Sequence, residues 1–253
     1  MRLTVLGCSG SVSGPECPAS GYLLTAAGTN PAVIDFGPGV LGALQRYADP
    51  SQVSVFLSHL HADHCLDLPG LLVWRRYHPL ADGGRAAVYG PTDTALRIGA
   101  ASAEHGGECD DWSDTIDMHP WQPGVAVPFG AGSVTACPVT HPPESYGLTI
   151  TSETGGTLCY TGDTALAPAV EEMARGADIL LAEASWTHDP ENRPPGLHMS
   201  GTEAGILAAR AGVQELLLTH IPPWTSREDV IAEAKTEFDG PVHAVSPGET
   251  FDF

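Results

Sequence analysis

The chain has 253 residues, 42% of them apolar, and carries 31 acidic against 11 basic side chains, a formal charge of −20. That length is enough for a full core and that apolar share excludes a disordered chain, while no apolar run approaches the roughly 20 residues of a membrane span. So acidic a surface repels polyanions, and one lysine, Lys235, and one adjacent basic pair, Arg75-Arg76, stand where a nucleic-acid binder would carry a basic stripe.

The N-terminal Met1-Arg2-Leu3-Thr4-Val5-Leu6-Gly7 reads as a first strand over Arg2–Leu6. It lacks the long apolar region and cleavage site of a signal peptide, so a cytoplasmic protein is expected. Apolar runs bounded by turn residues predict further strands over Gly21–Thr25, Ala32–Phe36, Val53–Leu57, Ala86–Tyr89 and Ser133–Pro138. The same signals recur at Tyr146–Ser152, Thr157–Thr161, Asp178–Ala182, Glu215–Thr219 and Val242–Val245. Helical spacing predicts helices near Val40–Tyr47, Leu68–Tyr77, Thr92–Ala103, Ala167–Arg175, Gly201–Ala211 and Arg227–Phe238, with Ser200 and Ser226 as N-caps of the last two. Early strands follow one another as hairpins and later ones alternate with helices. The fold class is therefore α/β: two mixed sheets packed face to face with helices outside. No linker, repeat or low-complexity tract divides the chain, which reads as one domain over 1–253. The acidic, Gly-rich loop Glu104–Asp114 and the Pro-rich loop Trp186–Leu197 are expected to rim a site. The six scattered cysteines have neither zinc-knuckle nor redox spacing and read as small buried hydrophobes, Cys65 included.

The densest chemistry is in Ser58-His59-Leu60-His61-Ala62-Asp63-His64-Cys65, directly after the apolar run Val53-Ser54-Val55-Phe56-Leu57. Such side chains at the end of a buried strand are costly to desolvate unless something binds them. If the backbone stays extended, His59 and His61 face one side, and Asp63 and His64 follow as the chain turns. Two neighbouring divalent metal ions fit this cluster, each needing partners from elsewhere. His141, Asp163 and His220 each end an apolar strand. Any of them alone could be an ordinary strand-end polar residue; together they complete two ligand sets. One ion receives His59, His61, His141 and Asp163. The other receives Asp63, His64, Asp163 and His220, with Asp163 bridging. Imidazole and carboxylate suit zinc, with manganese or iron as alternatives. His78, His105, His119, His188 and His243 lack this context and read as structural or surface residues.

The run His59-Leu60-His61-Ala62-Asp63-His64 resembles the His-x-His-x-Asp-His hallmark of the metallo-β-lactamase fold superfamily, and the likeness extends through Asp35-Phe36-Gly37-Pro38-Gly39 and Tyr160-Thr161-Gly162-Asp163-Thr164. The resemblance implies an αββα sandwich with a two-metal site at one edge. The tRNase Z-like branch is the most similar, through Leu197-His198-Met199-Ser200-Gly201-Thr202-Glu203-Ala204 and Leu180-Leu181-Ala182-Glu183-Ala184. By that likeness His198 and Glu183 form a His–Glu pair beside the metals. True tRNase Z enzymes carry a long arm between the positions matching His141 and Asp163; only 21 residues separate them here, too few for an arm.

The chain more closely resembles the actinobacterial, atypical class II cyclic-nucleotide phosphodiesterases of this branch, in Leu216–Val230, Val5–Ser11 and Trp74–His78. The expectation is hydrolysis of a 3′,5′-cyclic nucleotide, cAMP first, to the 5′-monophosphate by a hydroxide held between two metals. His198, oriented by Glu183, would be the acid at the leaving oxygen, and Asp63 a ligand that also takes the proton of the attacking water. Two divalent ions, two carboxylates and a hydroxide leave the site locally about +1, matched to one phosphodiester anion rather than a polynucleotide. The partner expected is thus a small cyclic nucleotide, without nucleic acid or membrane, and the branch's habit of dimerising makes a homodimer an expectation too. Alternatives are a tRNA 3′-processing endonuclease, which shares every ligand, a hydrolase of thioesters, lactones or lactams, and a metal-loaded binding protein without turnover.

Overall fold

The structure, a computed structural model, describes residues 1–81, 84–189, 191 and 193–253. In chain order its first elements are β1 (Arg2–Gly7), β2 (Gly21–Thr25), β3 (Ala32–Ile34), α1 (Val40–Leu44), β4 (Ser54–Phe56), α2 (Ala62–Cys65) and α3 (Leu68–Tyr77). There follow β5 (Ala86–Gly90), α4 (Thr94–Ser102), β6 (Ile116–Pro120), β7 (Ala126–Phe129), β8 (Gly132–Pro138), β9 (Tyr146–Thr151) and β10 (Thr157–Tyr160). The last are α5 (Pro168–Ala174), β11 (Ile179–Glu183), α6 (Gly201–Ala211), β12 (Glu215–Thr219), α7 (Arg227–Glu237), β13 (Val242–Ala244) and β14 (Thr250–Asp252).

The strands form two seven-stranded mixed sheets, ordered β14-β1-β2-β3-β4-β5-β6 and β13-β12-β11-β10-β9-β8-β7. In the first, β1, β2 and β3 pair antiparallel and β3 to β6 run parallel. In the second, β7 to β10 pair antiparallel and β10 to β13 run parallel. Alternation builds the layers. Tyr22, Leu24 and Ile34 of one sheet meet Leu148, Ile150, Tyr160 and Leu217 of the other in a shared core. Leu23 and Val33 point instead to the helices over the first sheet, while Leu180, Ala182, Leu216 and Leu218 point to those over the second. The parallel strand Ile179-Leu180-Leu181-Ala182 is buried on both faces, which is why it reads as an unbroken apolar run. Each such leucine contributes about 1.5–3 kcal/mol by leaving water. The result is the αββα sandwich expected from the sequence.

Three strands went unpredicted: β6, β7 and β14. All lie at sheet edges. An edge strand shares one side with water and needs no apolar run, so sequences such as Ile116-Asp117-Met118-His119-Pro120 carry little signal. The fourth strand is also shorter than expected. It stops at Phe56, so His59 and His61 lie in irregular backbone, with His61 at the N-cap of α2. The rings still converge, their centroids 4.8 Å apart, through a bend rather than an extended pleat.

Helix α6 begins at a capping box: Ser200 Oγ accepts from the Glu203 amide at 3.2 Å and Glu203 Oε2 from the Ser200 amide at 2.9 Å. The box fixes the backbone two residues after His198. Glu104–Asp114 lies against α3, where Asp110 and Asp114 pair with Arg76 at 3.0 and 2.8 Å, and does not rim the site as expected. The other loop, Trp186–Leu197, does reach it at both ends; its Pro190 and Asn192 lie outside the described residues. All six cysteines are free, and Cys65 Sγ donates to the His61 carbonyl at 3.2 Å rather than facing the cluster. Among the described residues no helix is long and apolar enough to cross a membrane.

Candidate metal centre

Every ligand candidate follows a strand, in the backbone just past its end or in the short helix α2 after β4. The first sheet delivers His59, His61, Asp63 and His64 beyond β4. The second delivers His141 beyond β8, Asp163 beyond β10 and His220 beyond β12, with Glu183 closing β11. Two of the turns are conformationally demanding. Asp35 and His220 hold left-handed backbone, at φ 55° and 54°, a strained state for non-glycine residues that collects at functional sites. Gly162, at φ 57°, turns the chain into Asp163, and a β-carbon there would lie 2.7 Å from the Tyr146 carbonyl.

Three overlapping donor groups result, each with ligand atoms within 4.8 Å of one another: His59, His61, His141 and Asp163; beside them Asp63, His64 and His220; and, sharing members with both, Asp163, His198 and His220. Asp163 faces the first two. Its Oδ1 lies 3.2 Å from His64 Nε2 and 3.5 Å from His220 Nε2; its Oδ2 lies 3.5 Å from His59 Nε2 and 3.9 Å from His141 Nε2. Asp163 thus lies between the first two groups, where a carboxylate shared by two ions would stand. His198 stands at the edge, Nδ1 3.8 Å from Asp163 Oδ2 and 3.0 Å from Glu183 Oε1. Every residue predicted for the site is thus brought together, and none lies elsewhere.

The tautomers are set from outside. Ser58 Oγ donates to Asp35 Oδ2 at 2.8 Å, so it accepts from His59 Nδ1 at 3.0 Å. Ser185 Oγ donates to Glu183 Oε2 at 2.8 Å and accepts from His220 Nδ1 at 2.8 Å. His141 Nδ1 donates to the Leu197 carbonyl at 2.6 Å, and His64 Nδ1 to Asp35 Oδ2 at 2.8 Å. Each of the four then turns Nε2 inward. Burial holds His59, His61 and His141 below the usual imidazole range, leaving lone pairs. Burial works against charge on His64 as well, but the Asp163 and Asp35 carboxylates outweigh it and raise this group. Burial opposes the charges of Asp63 and Asp163, and the surrounding histidines overcome it, keeping both carboxylates ionised.

The residues fit a cation. His59 Nε2, His64 Nε2 and Asp163 Oδ1 are buried without a hydrogen-bond partner among the described residues. Leaving such groups unpaired costs about 1–3 kcal/mol each. His220 Nε2 and Asp63 Oδ2 face each other at 3.0 Å, an imidazole and a carboxylate placed to share a divalent ion.

The 32–221 segment matches the family model described as "Beta-lactamase superfamily domain". The chain belongs to the metallo-β-lactamase superfamily. It is 66% identical over 252 residues to ML1173 of Mycobacterium leprae, covering 100% of this chain and 88% of that one. It is 31% identical over 251 residues to the probable metallo-hydrolase YhfI of Bacillus subtilis, covering 98% of both. The crystal structure of YhfI superposes with a TM-score of 0.86 at 27% identity over 99% of both chains. Ribonuclease Z of Mycobacterium bovis is 28% identical over 265 residues, covering 95% of this chain and 94% of that one, in keeping with the tRNase Z-like branch of the superfamily. Metallo-β-lactamase-fold members of this kind are metallo-hydrolases, and the His/Asp clusters here suit metal binding.

Sequence reasoning gave no role to Asp35, Ser58 or Ser185. Asp35 accepts from the Ser58 amide, Ser58 Oγ, His64 Nδ1 and Tyr160 Oη at 2.7–2.8 Å. The one available signal was a carboxylate inside the predicted strand Ala32–Phe36, where burial demands partners.

Proposed function

We propose that this metallo-hydrolase cleaves phosphodiesters, and that its substrate is a 3′,5′-cyclic nucleotide, cAMP first, released as the 5′-monophosphate. His59, His61, His141 and Asp163 would hold one divalent ion and Asp63, His64, Asp163 and His220 the other, zinc suiting the donors best, with manganese or iron as alternatives. When bound, the two ions supply positive charge at the phosphoryl oxygens and acidify water at neutral pH.

The observation that carries the reading is the His198–Glu183 pair at the edge of the cluster. Burial opposes charge on His198, but Glu183 outweighs it and the group is pushed up to about 9, so at neutral pH it keeps a proton to give. Glu183 cannot swing away: Oε1 also accepts from the Thr164 amide at 2.7 Å and Oε2 from Ser185 Oγ at 2.8 Å. Water attacks phosphorus and passes a proton to Asp63. The P–O3′ bond breaks, and His198 protonates O3′, leaving a 3′ hydroxyl and a 5′-phosphate.

Two observations favour a small substrate over tRNA. Residues 141–163 hold only β9, β10 and a tight turn, with no inserted arm among the described residues. The charge of −20 opposes a polyanion. Incubation with cAMP, with and without chelator, followed by product analysis tests the proposal; a precursor tRNA in parallel tests the endonuclease. Chelator-sensitive formation of 5′-AMP supports the reading. Cleavage of the tRNA with cAMP intact overturns it.

A further inference from the structure

The chain has five tryptophans, and their surroundings divide them. The indole N–H groups of Trp74, Trp112 and Trp121 each donate to a protein oxygen, at 3.3, 2.8 and 2.8 Å. Among the described residues those of Trp186 and Trp224 have no partner. Trp224 is 68% exposed, although a side chain of this kind is ordinarily covered. The two face a common cleft of about 460 Å³, lined also by Thr187, Asp189, Arg193, Ser226 and Asp229, with the Arg193 guanidinium 5.9 Å over the Trp186 ring, so that Trp224 offers the open aromatic face. The cleft walls are tied together, because Thr225 Oγ1 donates to the Ser185 carbonyl at 3.1 Å.

This cleft adjoins the proposed chemistry. The Trp186 ring stands edge-on to the His198 imidazole, centroids 5.2 Å apart at 85°. His198 is where the leaving 3′ oxygen must lie, and the ribose and its base hang from that oxygen. A sugar extending from that oxygen on the Trp186 side of His198 would bring its base to this cleft. Aromatic faces bind bases of any identity by stacking, and carboxylates accept from their exocyclic amines. The Asp229 carboxylate has no hydrogen-bond partner among the described residues.

We propose that the Trp186–Trp224 cleft is the nucleobase subsite, where Trp224 stacks an amino-bearing purine whose N–H groups donate to Asp229. The inference rests on the phosphodiesterase reading and adds the group that selects the substrate.

The test compares cAMP with methyl p-nitrophenyl phosphate, a phosphodiester without a base, in wild type, Trp224→Ala, Trp224→Phe and Trp186→Ala. The expected result is a KM for cAMP raised about tenfold in Trp224→Ala, the order lost with one base–aromatic stack, near-unchanged kcat, partial rescue by Phe and unaltered turnover of the base-free diester. A Trp224→Ala protein that treats both substrates as wild type does, or loses both equally, overturns the subsite. Binding is read separately by quenching of tryptophan fluorescence with 5′-AMP. If wild type hydrolyses no phosphodiester, the functional reading fails; quenching that Trp224→Ala abolishes still supports the cleft, and absence of quenching overturns it.

Discussion

His64 Nδ1 donates to Asp35 Oδ2 at 2.8 Å with both side chains wholly buried. Because Asp35 can only accept, the hydrogen bond keeps a proton on His64 Nδ1, so that the neutral ring, which a metal requires, presents its Nε2 lone pair toward Asp163. Asp35 also accepts from Tyr160, a ring of the inter-sheet core. The orientation of one proposed ligand is thus anchored in the packing of the whole sandwich.

Asp35→Asn should weaken metal binding about 10–100-fold, the usual cost of removing an orienting partner of a metal-bound histidine. The amide can offer an N–H where His64 needs an acceptor. Metal retained through a graded chelator titration checks this, and wild-type retention would exclude the anchoring role.

His198→Ala should lower kcat on cAMP about 10²–10⁴-fold while leaving metal content unchanged, since a positioned acid is worth that much and the donor sets remain complete. Glu183→Gln should follow it in direction with a smaller loss. Metal analysis alongside steady-state kinetics separates loss of the acid from loss of the ions.

Metal removal should lower thermal stability. Among the described residues His59 Nε2, His64 Nε2 and Asp163 Oδ1 are buried and have no hydrogen-bond partner that would replace an ion. An ion at a hundred times its dissociation constant stabilises by about 2.7 kcal/mol, which in a chain this size raises Tm by about 5–10 °C. Differential scanning calorimetry before and after chelation and re-addition of zinc measures the shift.

Gly10→Ala should impair activity although Gly10 binds nothing. A β-carbon there would lie 2.3 Å from the His220 carbonyl oxygen and 2.9 Å from its Nδ1. Displacing His220 by such amounts costs about 10²-fold in rate. Gly106→Ala, where no atom lies within 4 Å, is the control and should behave as wild type.

Glu203→Gln should cost about 1 kcal/mol at pH 7, with the difference from wild type closing in acid. Burial opposes the Glu203 charge, and its 2.5 Å hydrogen bond from Arg193 outweighs that, holding the folded carboxyl below its unfolded value. The contribution is therefore complete above about pH 4.3 and fades as pH falls through the lower folded value. Urea denaturation at pH 7 and at mildly acid pH measures the two gaps.

His141, Asp163 and His220 were legible because each is one side chain just past an apolar strand, and His59, His61, Asp63 and His64 because they crowd into six positions after another, patterns that survive without any knowledge of contacts. The central strands were legible for the same reason: Ile179-Leu180-Leu181-Ala182 must be buried on both faces. The edge strands were not, since Ala126–Phe129 and Thr250–Asp252 alternate with water and pair on one side only. Nor were the orienting groups. Ser58 and Ser185 act through a hydroxyl whose direction depends on chain folded from far away, and a serine in sequence says nothing of that. His198 and Glu183 came through likeness to a family, because a helix-start histidine and a strand-end glutamate have many uses.

The cluster straddles the seam between the two sheets: one contributes the residues from His59 to His64, the other His141, Asp163 and His220. Neither half of the chain can assemble it alone. A divalent ion there would act as a rivet across the sandwich. Acquisition of tightly held metal would then report completed folding, and a fragment ending before β8 would never earn it.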